Sequence, residues 1–329
     1  MDSIFVGIDI AKEYFDVVVR QAGKNGPAKR FDNAGKGISA LLRWLPAQPA
    51  ETMWVCLEAT GQYGEAVAET LAAQGYRVSV VNPLCIKRYA AAASIRTQTD
   101  PVDAELIAQF CDHLHPRLWV PPSPAHKLLR SLSRRLADLQ EMRQMEHNRL
   151  AAAKHLPQEL RTSLQRVLQT LQAEIQAVTQ QLMVLIRQDA ELAQQKKLLV
   201  SIPGVGELTA VRFLAELGDL REFSSAKQLA AYLGLTPESK SSGSSVQTKP
   251  RLSKKGNAEV RQFLYMPAVV AKRFNPVIRG LCTRLAARQK CNLSIIGAAM
   301  HKLVHLMFGV VHSGQPFDPH FALKNLPTA

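Results

Sequence analysis

Four carboxylates stand where acids are costly. Asp9 lies inside the apolar run Ile4-Phe-Val-Gly-Ile-Asp-Ile10, and Glu58 closes the run Met53-Trp-Val-Cys-Leu-Glu58. Asp100 and Asp103 sit three residues apart at the start of a helical pattern. An ionised carboxylate beside a core is unfavourable unless it is paired or bound to metal. Residues three apart on a helix share a face, roughly 5–6 Å apart at Cβ. Asp100 and Asp103 can therefore join acids from adjacent strands around one site. An all-carboxylate set suits magnesium or manganese, which favour oxygen ligands. Two such ions held about 3.5–4 Å apart clamp the attacking and leaving oxygens of a phosphoryl transfer. Asp100 has a second reading, as an N-cap ahead of Pro101 with Asp103 favouring the helix dipole. That reading leaves Asp9 and Glu58 unexplained. Glu13 and Asp16, near Asp9 in sequence, are expected on the turn or on the opposite strand face.

The elements that must position these acids can be read from periodicity. Residues 4–10 and 15–20 read as strands joined by a short turn, and 29–33 as a third strand. A helix follows from Ile38 to about Leu45, then a strand at 53–58, a helix from about Gly64 to Ala73, a strand at 77–81, and a helix begun by Asn82-Pro83. Three strands followed by alternating helix and strand predict an α/β domain with a mixed sheet. That order is the order of the ribonuclease H-like fold, whose metal acids fall on the first strand, the fourth strand and a late helix. By fold analogy alone, the four acids occupy those places.

From about Pro124 the pattern turns helical. Leu129, Leu132, Leu136 and Leu139 keep a 3-4 spacing, and Leu164, Leu168, Leu171, Ile175, Val178, Leu182 and Leu185 alternate steps of four and three. This seam of about three heptads fits either a helical hairpin within the chain or a dimerisation arm. Ile202-Pro-Gly-Val-Gly206 joins two helices. It reads either as a helix-hairpin-helix element, with Gly204 and Gly206 letting backbone amides approach a phosphate, or as a plain tight connection. Residues 236–257 lack helical periodicity. They carry Lys240, Lys249, Arg251, Lys254 and Lys255, with no acid between Ser239 and Ala258, which suits phosphate contact. Spacing alone singles out none of Ser241, Ser242, Ser244 and Ser245, which flank Gly243.

Composition bounds the function. A chain of 329 residues holds two or three domains. With 47% hydrophobic and 21% charged residues it reads as soluble and globular. A net charge of +14 points to a polyanionic partner, nucleic acid above all. Five cysteines without a CxxC pair read as reduced core residues of a cytoplasmic protein, and no signal peptide is seen. The apolar stretch from Leu293 to Val311 contains His301, Lys302 and His305 and reads as a core helix rather than a membrane span. His301 and His305 have no acid between them and read as core or surface residues. Cys111, His113 and His115 lack a second ligand cluster, which argues against zinc. No P-loop lysine motif, dinucleotide fingerprint or GxSxG elbow is present.

Eight short blocks then come in order: Gly7-Ile-Asp-Ile-Ala-Lys12, Glu58-Ala-Thr-Gly61, Val81-Asn-Pro83, Thr99-Asp-Pro-Val-Asp-Ala104, Ile202-Pro-Gly-Val-Gly206, Leu233-Gly-Leu-Thr-Pro237, Ser242-Gly-Ser-Ser-Val246 and Leu264-Tyr-Met-Pro267. Together, and over nearly the whole chain, they resemble the DEDD insertion-sequence transposases of the IS110 family, relatives of the Piv DNA invertase. The resemblance implies a RuvC-like catalytic domain over 1–123, long helices and a coiled coil over 124–196, and a mainly α C-terminal transposase domain over 197–329. It implies that Asp9, Glu58, Asp100 and Asp103 hold Mg2+ or Mn2+, and that Ser242 is the nucleophile. It also implies a bridge RNA that pairs with donor and target DNA, and active sites shared between protomers of a dimer that assembles to a tetramer. The expected function is cutting and rejoining of donor and target DNA in the cytoplasm, on the nucleoid, with no membrane role. Its rivals are a Holliday-junction-type metal-dependent nuclease using water, a non-catalytic nucleic-acid-binding protein, and an actin-like nucleotide binder.

Overall fold

The computed structural model of the chain describes residues 3–59, 61–93, 100–152, 157–238, 241–242, 246–247, 251–253 and 255–320. The chain divides into two compact units, Met1–Pro122 and Ser123–Ala329.

The first unit runs β1 (Ile4–Ile10), β2 (Tyr14–Gln21), β3 (Lys24–Asn25), β4 (Lys29–Asp32), α1 (Gly35–Trp44), β5 (Met53–Glu58), α2 (Glu65–Ala73), β6 (Arg77–Val81), α3 (Pro83–Ala92) and α4 (Asp100–Leu114). One mixed sheet holds all six strands. β1 is central, antiparallel to β2 and parallel to β5, which is parallel to β6; β2 pairs with both β3 and β4. Successive strand residues face opposite sides, so β1 serves two cores. Ile4, Val6, Ile8 and Ile10 join Ile38 and Leu41 of α1 and Val67 and Leu71 of α2. Phe5 faces the other way, with Cys56, Ile86 of α3 and Leu106, Ile107 and Phe110 of α4. The expected element order holds to within a few residues, apart from the unforeseen β3. Two residues are too few to show a period.

Gly7 fixes how closely α4 lies on the sheet. A Cβ at Gly7 would stand 2.1 Å from the carbonyl oxygen of Ala104 and 2.3 Å from the amide nitrogen of Ala108. Only glycine lets helix backbone meet strand backbone at that distance. Val18, opposite Gly7 on β2, packs with the same two alanines.

The second unit comprises α5 (Pro124–Ala152), α6 (Gln158–Gln188), α7 (Ala190–Val200), α8 (Glu207–Leu217), α9 (Ala226–Tyr232), β7 (Pro237–Glu238), β8 (Ser241–Ser242), β9 (Val246–Gln247), β10 (Arg251–Leu252), α10 (Ala258–Phe274), α11 (Pro276–Ala287) and α12 (Asn292–Ser313). One core runs through it, from Leu129, Leu136 and Leu139 of α5 to Leu303, Val304 and Met307 of α12. α5 and α6 pack against each other along the leucine seam. The seam drifts: Ile175, Val178 and Leu182 are buried as expected, but Ile186 replaces Leu185 at the base, and Leu164, Leu168 and Leu171 are only half-buried. A straight helix of 3.6 residues per turn walks off a 3.5-residue repeat. The helix is broken at Asp189, whose extended backbone ends α6 and whose carboxylate accepts from the amides of Glu191 and Leu192, both at 3.0 Å. α12 is long and apolar enough to cross a membrane, yet its Ile295, Ile296, Ala299 and Met300 belong to the unit's core. Cys56, Cys111 and Cys282 are buried, whereas Cys85 and Cys291 are exposed, so only three of the five fit the core reading.

Candidate functional site

The sheet register gathers charge into one row. The three-residue turn after Ile10 pairs Asp9 with Asp16 across β1 and β2, and Asp16 with Arg30 across β2 and β4. Cross-strand partners share a face. Asp16 therefore lies on the same face as Asp9, not the opposite one expected from the sequence. In the parallel register Ile8 pairs with Leu57, so the next step sets Asp9 beside Glu58. The row Arg30, Asp16, Asp9, Glu58 is on the face that Gly7 opens to α4. The first turn of α4 brings Asp100 and Asp103 toward it.

The acids feel one another. Burial, followed by the charges of Asp103, Asp100 and Asp16, pushes the Asp9 carboxyl up to about 6. Glu58 is raised by burial, then by Asp9 and Asp103. Asp103 is raised by burial and by Asp100, with Lys87 of α3 opposing the shift at both Glu58 and Asp103. Mutual repulsion among hard oxygen donors is relieved by a cation, and in this respect the donor set fits a divalent metal. The side chains do not close around one point: no group of three or more His, Cys, Asp or Glu among the described residues could hold an ion as placed. Asp100 is drawn aside. Its Oδ2 accepts from the Tyr14 hydroxyl at 2.9 Å and from Arg30 Nη2 at 3.1 Å. Arg30 also bonds both oxygens of Asp16, at 3.1 and 2.7 Å, and stacks over the Tyr14 ring at 3.8 Å. The Asp16 side chain is 4% exposed, so Arg30 neutralises a buried charge. Tyr14, Asp16, Arg30 and Lys87 were not expected from the sequence. The signal for Asp16 and Arg30 is the length of two turns, which sets register.

In the second unit, the segment read as an aperiodic basic loop has a ladder. β7 pairs with β10, and within that rung β8 pairs with β9, with Ser242 opposite Val246. Ser242 thus has its backbone at the inner rung of a hairpin. Lys240, Lys249 and Lys254 lie outside the described residues, as do residues 243–245. Arg251 pairs with Glu238 through the backbone, and Lys255 forms an ion pair with Glu238. Gly204 has a packing reason. Its φ is +105°, and a Cβ there would stand 2.6 Å from that of Ala271 on α10. Gly206, by contrast, is exposed at the N-terminus of α8. His301 and His305 are half-buried, with ring centroids 4.4 Å apart. Burial lowers both, His305 to about 4, so both are neutral at pH 7.

Comparison with known proteins points one way. Residues 6–160 match the DEDD Tnp IS110 family, described as transposase, and residues 196–282 match the transposase IS116/IS110/IS902 family. The chain is similar to the pilin gene-inverting proteins of Moraxella bovis and Moraxella lacunata. Each is 32% identical over 330 residues, covering 97% of this chain and 98% of the relative. It is also similar to putative transposase y4qE of Sinorhizobium fredii, at 27% identity over 284 residues, 79% of this chain and 70% of the relative.

Proposed function

The chain belongs to the IS110-type DEDD transposase family of insertion-sequence recombinases, and on that premise we propose that it cuts and rejoins donor and target DNA through a serine nucleophile assisted by a divalent metal. The observation that carries the metal half is the acid row at Asp9 and Glu58, with α4 seated by Gly7 so that Asp103 and Asp100 address it. Asp9, Glu58, Asp100 and Asp103 would hold Mg2+ or Mn2+, with Arg30 and Tyr14 releasing Asp100 from their hydrogen bonds. When bound, the ion neutralises and polarises the scissile phosphate. The division of the chain into RuvC-like (1–123), coiled-coil (124–196) and transposase (197–329) regions belongs to the same proposal, and the strand order of the first unit supports a ribonuclease H-like fold for it.

The Ser242 hydroxyl attacks the phosphorus. A phosphoserine ester forms as the bond to the leaving sugar oxygen breaks, and the serine proton ends on that oxygen. Attack by a sugar hydroxyl of the other duplex reverses the step, seals the new junction and frees the serine. A bridge RNA would supply sequence choice by pairing, leaving the protein to grip backbone and shape. The basic residues Lys240, Lys249, Arg251, Lys254 and Lys255, with the Gly206 amide end of α8 and its neighbour Gly204, would make that grip. Two protomers would complete each site in a tetramer, working on cytoplasmic DNA.

The test is recombination of donor and target plasmids with magnesium, with and without RNA transcribed from the non-coding flank of the gene. Ser242→Ala and Asp9→Ala run beside the unaltered protein. Loss of RNA-dependent junctions in both variants, with the protein–DNA adduct absent in Ser242→Ala, is the expected result. Cutting that survives Ser242→Ala without RNA would establish a nuclease that uses water.

A further inference from the structure

Beneath the serine hairpin the second unit has a groove of about 1020 Å3 that the recombination scheme does not use. Its volume lies at the upper end of the usual range for small-molecule sites, roughly 300–1,000 Å3. Leu235 and Leu252, at the stems of the hairpin, form one wall, and Val277, Leu281 and Met300 form another. The mouth carries Tyr265, 40% exposed, and Leu293, 72% exposed. Gly297 lets the Leu252 side chain pack closely on α12, since a Cβ there would stand 3.1 Å from Leu252 Cδ1. The cations are Arg261, Arg284 and Lys302, with His301 neutral beside them, and none of the lining residues is acidic. Arg261 is engaged, donating to the carbonyls of Leu233 and Gly256 at 3.0 and 2.8 Å. Arg284 and Lys302 form no ion pair among the described residues. Lys302 is held below its ordinary value by burial first and then by the neighbouring charge of Arg284.

A mostly apolar groove with a tyrosine at its mouth and two cations has the chemistry of a base and its phosphate. Bases removed from a stack are held among apolar and aromatic side chains, with cations on the backbone. We propose that this groove receives an unpaired nucleotide of a bound nucleic-acid strand, with its base among the apolar walls and its phosphate on Arg284 and Lys302. The stems of the Ser242 hairpin line the groove, so a captured nucleotide would be anchored at the root of that hairpin.

The test uses the full chain in EDTA, so that neither metal nor cleavage enters. Single strands carrying 2-aminopurine, in deoxyribose and ribose forms, are titrated beside a fully paired duplex. Anisotropy reads affinity, and 2-aminopurine emission reads unstacking. The proposal expects emission to rise on binding, and Ala298→Trp, which fills the groove, to abolish the rise and weaken single-strand binding about ten-fold, as for loss of one base contact. Leu293→Asp, at the exposed rim where folding is not at stake, and the double variant Arg284→Ala/Lys302→Ala should weaken it in the same direction. Duplex affinity should not change with Ala298→Trp. The sugar form that shows the loss identifies the strand as DNA or RNA. Equal emission in the unaltered protein and in folded Ala298→Trp would overturn the proposal, as would a change in oligomeric state in place of a change in binding. The assay in EDTA reads strand capture and not strand transfer, so failure of the recombination scheme and failure of the groove are separate results.

Discussion

An ionised Asp9 works against the metal-free fold. Its carboxyl titrates at about 6 in the folded state against an ordinary 3.8, so the folded protein binds that proton more tightly than the unfolded chain. The penalty is fully present above pH 6, shrinks as pH falls through the window between the two values, and is gone below 3.8. Asp9→Asn should therefore raise stability in EDTA at pH 8 by about 1 kcal/mol, after discounting for solvent screening, and the gain should vanish near pH 4. Urea denaturation at both pH values checks this, and equal midpoints at pH 8 would mean that the acid row is not under strain. Asp9 and Glu58 stand out in the sequence because acids interrupt apolar runs, and Asp100 and Asp103 because they open a helical pattern three residues apart. Asp16 and Arg30 were not, because their placement depends on which residues a turn sets opposite each other, and periodicity is silent on that.

Gly7 decides the position of a whole helix. Gly7→Ala would drive a methyl group into the backbone of α4 at Ala104 and Ala108, and backbone cannot rotate away. Overpacking of this kind costs about 3 kcal/mol. Gly35→Ala, where an added Cβ meets nothing within 4 Å, should be nearly neutral. Thermal unfolding of both variants, with and without Mn2+, separates two consequences. Gly7→Ala should lower the midpoint and also shrink the shift given by the metal, because Asp100 and Asp103 move with α4. A preserved metal shift would show that the helix does not carry ligands. At this scale the long strands and the first two helices of the first unit were read to within a few residues, since each spans at least two periods. The serine hairpin was missed because its strands are two residues long, and its rungs are visible only in the pairing.

Across the molecule, the acids and the serine belong to different units: Asp9, Glu58, Asp100 and Asp103 to Met1–Pro122, and Ser242 to Ser123–Ala329. If protomers share sites, a mixture of Asp9→Ala and Ser242→Ala chains should regain part of the junction-forming activity that each lacks, since mixed assemblies contain sites built from the two undamaged units. Gel assay of the mixture against each variant alone decides it, and no recovery would place acids and serine of one site on one chain. The division at Pro122 has an electrostatic consequence as well. Residues 1–122 hold 12 basic and 13 acidic side chains, whereas residues 123–329 hold 29 and 14. The excess positive charge therefore belongs wholly to the second unit. Each neutralised phosphate of a duplex steepens the salt dependence of binding by about 0.9 in log–log slope. The fragment 123–329, which has its own core, should reproduce the slope of the full chain, and the fragment 1–122 should bind duplex barely at all. Holding the polymer and working on one of its bonds would then be tasks divided between two halves of one chain, and raising the salt would release the substrate without touching the acids.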